Sequence, residues 1–149
     1  MNEQVNLEKH CNEVMFWLTE IADRMRVPGR TDWAYKALKA VLHTLRDRTT
    51  IQEVFHLSAQ FPLLIRGIYF EGYKPEGKPE KMNAQEFMER INQKIKPAVE
   101  IPALEVFRAV LYVLYDKISP GELDDIRASM PKDLQKLWEN LMTRETEVE

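Results

Sequence analysis

Apolar residues recur at intervals of three and four along most of the chain, which is the spacing of one face of an α-helix. The clearest run has apolar residues at positions 34, 37, 38, 41, 42 and 45. These positions cannot line one face of a β-strand, where side chains alternate with a period of two. Similar runs precede and follow it, with Pro and Gly at the breaks between them. The pattern predicts an all-α fold with about eight helices.

The sequence also resembles itself when it is shifted by 69 residues. The run that begins at Ala34 then falls on apolar positions 103, 106, 107, 110, 111 and 114, and the match continues over 36 residues without an insertion. It pairs Leu42 with Leu111 and Pro62 with Pro131. A match of this length without gaps indicates an internal repeat.

The repeat predicts two tandem, similar halves at residues 10–71 and 84–142, within one compact helical domain that spans residues 1–149. The segment between them, "EGYKPEGKPEKMN", is rich in Gly, Pro, Lys and Glu and has no helical periodicity. Such a composition is typical of a linker, which we place at residues 72–83. A chain of 149 residues is long enough for one well-buried core and too short for two.

Two glutamates stand where helix N-terminal caps are expected. A Ser or Thr followed three residues later by Glu can satisfy two of the unpaired N–H groups at a helix start. Thr50 and Glu53 have this spacing, and so do Ser119 and Glu122 at the same offset of 69. We interpret all four residues as structural caps.

Glu53 and His56 lie three residues apart, a spacing that some helical proteins use to hold metal. Such centres need a second pair of this kind and two more glutamates, whereas the second half has Asp125 in place of the histidine. On the predicted helix, Glu53 and His56 also point away from the apolar face. We interpret this segment as a helix cap with an exposed His56. A metal site and acid/base catalysis are the alternatives, and no catalytic residue, metal or cofactor is predicted.

The clearest difference between the two halves lies in the helix predicted to begin near Pro62. Leu63, Gly67 and Phe70 share one face of this helix, and the second half has Lys, Lys and Glu at the equivalent positions. Tyr73 follows closely. The strip formed by these four residues is the candidate interaction patch. The alternatives are burial against the other half or under the linker, and exposure as a binding surface.

Charge and composition exclude several classes of partner. The net charge is -3, and the Lys and Arg residues are scattered along the chain, so no basic surface for nucleic acid is predicted. The first residues lack the pattern of a signal peptide, and no apolar run approaches the ~18 residues needed to span a bilayer. We therefore predict a cytoplasmic protein that binds neither nucleic acid nor membrane.

Three further side chains have reactive or ligating groups. Cys11 is the only cysteine and has helical spacing with apolar residues, so we predict a buried structural thiol. His10 and His43 have no neighbouring carboxylates in sequence, and surface or boundary positions are predicted for both.

Longer segments carry a family resemblance. The segments "AYKALKAVLHTLRDRTTIQEVFHLSAQFPLLIRGIYFEGYKPEGKP" and "RAVLYVLYDKISPGELDDIRASMPKDLQKLW" resemble the bacterial family catalogued as domain of unknown function 2267, over residues 10–142. The resemblance implies an all-helical, internally duplicated fold. It implies no established activity and no catalytic residues, so no site can be transferred.

The sequence therefore favours a non-enzymatic helical module that acts through contact with another protein or with a second copy of itself. The alternative is a regulatory domain that binds a small ligand or a metal in a cleft between the two halves. An enzyme is the third hypothesis, and the chain shows no assembled catalytic groups that support it.

Overall fold

Eight helices make up the computed structural model over the residues it describes, which are 6–148 for the backbone and 6–143 for the side chains. They are α1 (Leu7–Arg24), α2 (Thr31–Asp47), α3 (Ile51–Ser58), α4 (Leu63–Phe70), α5 (Ala84–Ile95), α6 (Ala103–Lys117), α7 (Pro120–Ala128) and α8 (Lys132–Val148). No strand occurs in residues 6–148. The prediction of an all-α fold with about eight helices is confirmed. Positions 1–5 and 149 of the predicted domain lie outside the described residues.

The helix positions follow the apolar pattern of the sequence. The run that predicts α2 is buried at all six of its positions. α7 and α8 begin 69 residues after α3 and α4, which is the offset of the predicted repeat. The repeat itself stays a prediction. α8 is 17 residues long, whereas its counterpart α4 has 8 residues.

Helices of both halves contribute to one hydrophobic core. α2 packs against α5 and α6 as well as against α1, and α1 also packs against α6. Leu38, Ile91 and Phe107, which lie on α2, α5 and α6, are fully buried in this core. Phe107 meets Trp138 of α8 edge to face, with ring centroids 6.0 Å apart. The halves therefore share apolar surface, while the predicted boundaries at 10–71, 72–83 and 84–142 stay predictions.

The buried Arg46 side chain connects α2 to the end of α4 and pairs with its neighbour Asp47. The Arg46 guanidinium donates to the backbone carbonyl oxygens of Tyr69 at 2.8 Å and Glu71 at 2.9 Å, and its Nε donates to Asp47 at 2.9 Å. The backbone N–H of Glu80 donates to the Asp47 carbonyl oxygen at 2.7 Å. The predicted linker is thus attached to α2 by a hydrogen bond.

Two side chains differ from the sequence prediction. Cys11 is exposed and not buried, because the buried face of α1 begins only at Trp17. His43 is buried and not at the surface, since α4 packs over α2 at this point. Its Nε2 lies 2.7 Å from the Ile68 carbonyl oxygen. Burial lowers the pKa of His43, although this hydrogen bond acts in the opposite direction.

Candidate functional site

α3 is a short helix on which the predicted N-terminal cap forms in part, through Thr50 but not through the Glu53 side chain. Thr50 Oγ1 accepts a hydrogen bond from the backbone N–H of Glu53, with an N–O distance of 3.3 Å. Val54 and Leu57 are buried on the inner side of the helix. Because helical geometry directs only part of each turn inward, Glu53 and His56 lie on another side.

Ser119 is the N-cap residue of α7, but the side-chain hydrogen bond predicted for it does not form. Its side chain makes no cap hydrogen bond, because the backbone N–H of Glu122 already bonds to the Ser119 carbonyl oxygen at 3.1 Å. The Ser119 N–H donates instead to Gln60 Oε1 at 2.8 Å, which links the two halves. A complete capping box occurs at Asn83 and Glu86, which the sequence analysis missed. The signal was present, since Asn is a favoured cap and Glu follows it at the required spacing.

α3 and α7 pack against each other across the two halves, and this contact brings the two predicted cap glutamates together. One ligating atom from each of Glu53, His56 and Glu122 lies within 4.8 Å of the other two. Glu53 and Glu122 are half-buried, and His56 is exposed as predicted. We call these three residues the junction cluster.

Two carboxylate oxygens of the junction cluster, Glu53 Oε2 and Glu122 Oε1, are shielded from solvent and have no hydrogen-bond partner. Ionised carboxylates only accept hydrogen bonds, so the two groups can satisfy each other only when one of them carries a proton. Burial raises the pKa of Glu122, the negative charge of Glu53 raises it further, and His56 opposes both. The arrangement therefore favours either a proton on Glu122 or a cation placed between the two carboxylates.

The sequence analysis named Glu53 and His56 as weak metal candidates without a partner. It assigned Glu122 to a cap alone, because the contact between α3 and α7 is tertiary and leaves no local pattern. The one available signal was that Glu122 is the counterpart of Glu53 at the 69-residue offset.

The predicted interaction patch is partly open to solvent. Leu63 is 53% exposed, and a methyl group added at Gly67 would meet no other atom within 4 Å. Phe70 and Tyr73 are half-buried. The Phe70 ring contacts the ring of Phe55 on α3, with centroids 5.5 Å apart, and Phe55 is itself 56% exposed. α4 packs chiefly on α1 and α2 of its own half. The ring contact between Phe55 and Phe70 extends the strip onto α3 as an apolar surface.

The comparison with protein families places the chain. A family model described as "Uncharacterized conserved protein (DUF2267)" matches residues 15–137. The chain belongs to the DUF2267 family. This confirms the resemblance seen in the sequence, and the matched segment contains the whole junction cluster and the interaction patch. None of the curated proteins matches this DUF2267 chain.

Within residues 6–148, no helix combines the length and the hydrophobicity needed to cross a bilayer.

Proposed function

We propose that this DUF2267 protein is a regulatory domain that binds one divalent metal ion at the junction cluster. The observation that supports the proposal is the convergence of two unsatisfied, solvent-shielded carboxylate oxygens with an imidazole from opposite halves of the fold. A proton shared by Glu53 and Glu122 would also satisfy the two oxygens, and it would not involve His56. A cation uses all three groups.

The ligand set favours a first-row transition ion such as Zn²⁺. Imidazole nitrogen and carboxylate oxygen both bind Zn²⁺, whereas Mg²⁺ and Ca²⁺ take oxygen ligands almost exclusively. Two carboxylates also balance the charge of a divalent ion. Ligands of a tetrahedral zinc ion lie about 3.4 Å apart, whereas the three cluster atoms lie within 4.8 Å of one another, so zinc binding would require small side-chain rotations. The three side chains would leave one of the four positions of a tetrahedral zinc ion to water or to another ligand. The proposed role is regulatory binding of the ion.

Metal titration of chelator-treated protein tests the proposal. Isothermal titration calorimetry with Zn²⁺, Mn²⁺ and Mg²⁺ should give one site for a transition ion and much weaker binding of Mg²⁺. His56→Ala and Glu122→Gln each remove a direct ligand. We expect each to lower the affinity by more than the about 10–100-fold that changes in outer-shell partners cause.

His10→Ala is the matched control, because His10 is a half-buried histidine on α1 and lies outside the junction cluster. It should bind Zn²⁺ as the unmodified protein does. Equal zinc affinity in the unmodified protein, His56→Ala and Glu122→Gln would place any bound ion elsewhere and refute the proposal.

The second candidate function is self-association through the α3–α4 surface, which consists of Ile51, Phe55, Leu63, Gly67 and Phe70. It is favoured by the exposure of Phe55 and Leu63 and by the ring contact that joins the two helices. Contiguous exposed apolar surface often marks an interaction site. We propose a second copy of the chain as the partner, because a two-fold contact lets the apolar residues of each copy cover those of the other.

Light scattering after size-exclusion chromatography tests this second candidate over a range of protein concentrations. Phe55→Asp should shift the population to monomer and leave the melting temperature nearly unchanged. Leu7→Asp makes the same change at an exposed apolar residue of α1 and should not alter the population. A monomeric unmodified protein at all concentrations would rule out self-association.

A further inference from the structure

The helices that carry the junction cluster have few apolar anchors. α3 buries two large apolar side chains, Val54 and Leu57, and α7 buries Leu123 and Ile126. α3 packs mainly against α7, and α7 packs against α3 and α8. By contrast, α2 buries 11 of its 17 residues and α6 buries 7 of its 15. The contact between α3 and α7 therefore has few apolar anchors, and the junction cluster spans it.

The two glutamates of the junction cluster oppose this contact when both are ionised. Glu53 and Glu122 are like charges that are partly removed from water, and their mutual repulsion is stronger there than in bulk solvent. The hydrogen bond between Ser119 and Gln60 joins the same two segments and acts in favour of the contact. A cation between the carboxylates replaces the repulsion with two attractive interactions.

We infer that the metal ion acts as a clamp, holding α3 of one half against α7 of the other. This inference rests on the proposed metal binding and adds a consequence to it. An ion that binds only the docked arrangement stabilises that arrangement by mass action. Because Ile51 and Phe55 also lie on α3, the clamp fixes one side of the α3–α4 surface. Metal occupancy thereby regulates how well ordered α3 and α7 are.

Hydrogen exchange measured by mass spectrometry on the intact protein, with and without Zn²⁺, tests the clamp. Backbone amides in segments 54–58 and 123–128 should exchange more slowly with zinc. The expected factor is about 100 at a free zinc concentration of about 100 Kd, if the open state does not bind the ion. Segment 87–95 of α5 belongs to the shared core and should change little.

Glu122→Gln separates the clamp from a general effect of zinc. It removes a ligand, so zinc should no longer slow exchange in either segment. Without metal, its amide N–H can donate to the Glu53 carboxylate, and exchange in both segments should be at least about tenfold slower than in the metal-free unmodified protein. Glu89→Gln, at an exposed position on α5, is the charge-matched control and should show the full zinc response.

The outcomes separate this inference from the proposed function. Zinc binding with slower exchange in both segments, lost in Glu122→Gln, supports the clamp. Zinc binding at the junction cluster without a change in exchange overturns the clamp and leaves the proposed function intact. Failure of zinc to bind overturns both.

Discussion

Asp47 and Asp116 occupy equivalent positions of the predicted repeat and have opposite environments, so they form a matched pair for mutation. The side chain of Asp47 is 11% exposed and pairs with the buried Arg46 at 2.9 Å. The side chain of Asp116 is 61% exposed and lies 3.4 Å from the Lys117 ammonium group. Asp47→Asn and Asp116→Asn therefore remove the same charge from a buried pair and from a surface pair.

The buried pair sets the size of the expected effect. Removing one partner of a buried ion pair costs about 3–5 kcal/mol, because the other charge is left uncompensated. The amide introduced by Asp47→Asn keeps an oxygen that accepts from the Arg46 Nε, so we expect the lower end, about 3 kcal/mol. An exposed pair contributes about 0–1 kcal/mol, so Asp116→Asn should cost less than about 1 kcal/mol.

Urea unfolding followed by circular dichroism measures both free energies, and thermal unfolding measures the corresponding melting temperatures. For a chain of this size, the melting temperature of Asp47→Asn should fall by about 6–12 °C and that of Asp116→Asn by less than about 4 °C. The dependence on urea concentration should keep the same slope in both variants, which shows that the change is in stability. Equal losses in the two variants, or no measurable loss in Asp47→Asn, would refute the assignment of a stabilising buried pair.

Three further predictions follow from caps, burial and the shared core. Thr50→Ala should cost about 0.5–2 kcal/mol through its lost cap hydrogen bond, whereas Ser119→Ala should cost less than about 0.5 kcal/mol in the same urea assay; the reverse order would contradict the cap assignment. Burial lowers the pKa of His43, so the stability that neutral His43 contributes is complete above the unfolded-state pKa and is lost as the pH falls. Between about pH 7.5 and pH 5.5 the melting temperature should therefore fall less in His43→Gln than in the unmodified protein. Equal falls in the two proteins would contradict this. Residues 82–149 expressed alone should aggregate or melt without a sharp transition, because α5 and α6 lose their contacts with α2; a cooperative, reversible melt of that fragment would show that the halves fold independently.

The sequence predicts much of the fold because helix positions depend on local patterns. Apolar periodicity identifies α2 by itself, and the Thr50 cap marks the start of α3. These features follow from interactions within about four residues of the chain. Such interactions are visible in a single sequence.

Several of the errors and omissions come from tertiary contacts, whereas those at Ser119 and Asn83 are local. Cys11 has the spacing of a buried residue, but α1 extends beyond the core at that point. His43 is covered by α4, and the backbone of Ser119 satisfies the donor that its side chain was expected to bind. Glu122 meets Glu53 only because α3 and α7 pack together. The candidate metal site could therefore be predicted only in part, from the two residues that lie on one helix.

X-ray absorption spectroscopy at the zinc edge tests the central claim, zinc coordination by the junction cluster, most directly. Zinc-loaded protein should show nitrogen and oxygen neighbours at about 2.0–2.2 Å, together with the scattering pattern of an imidazole ring. That imidazole pattern should disappear in His56→Ala loaded with zinc and persist in His10→Ala. A sulfur neighbour at about 2.3 Å would place the ion on the exposed Cys11 instead. That result, or an imidazole pattern unchanged in His56→Ala, would contradict the assignment of the metal to Glu53, His56 and Glu122.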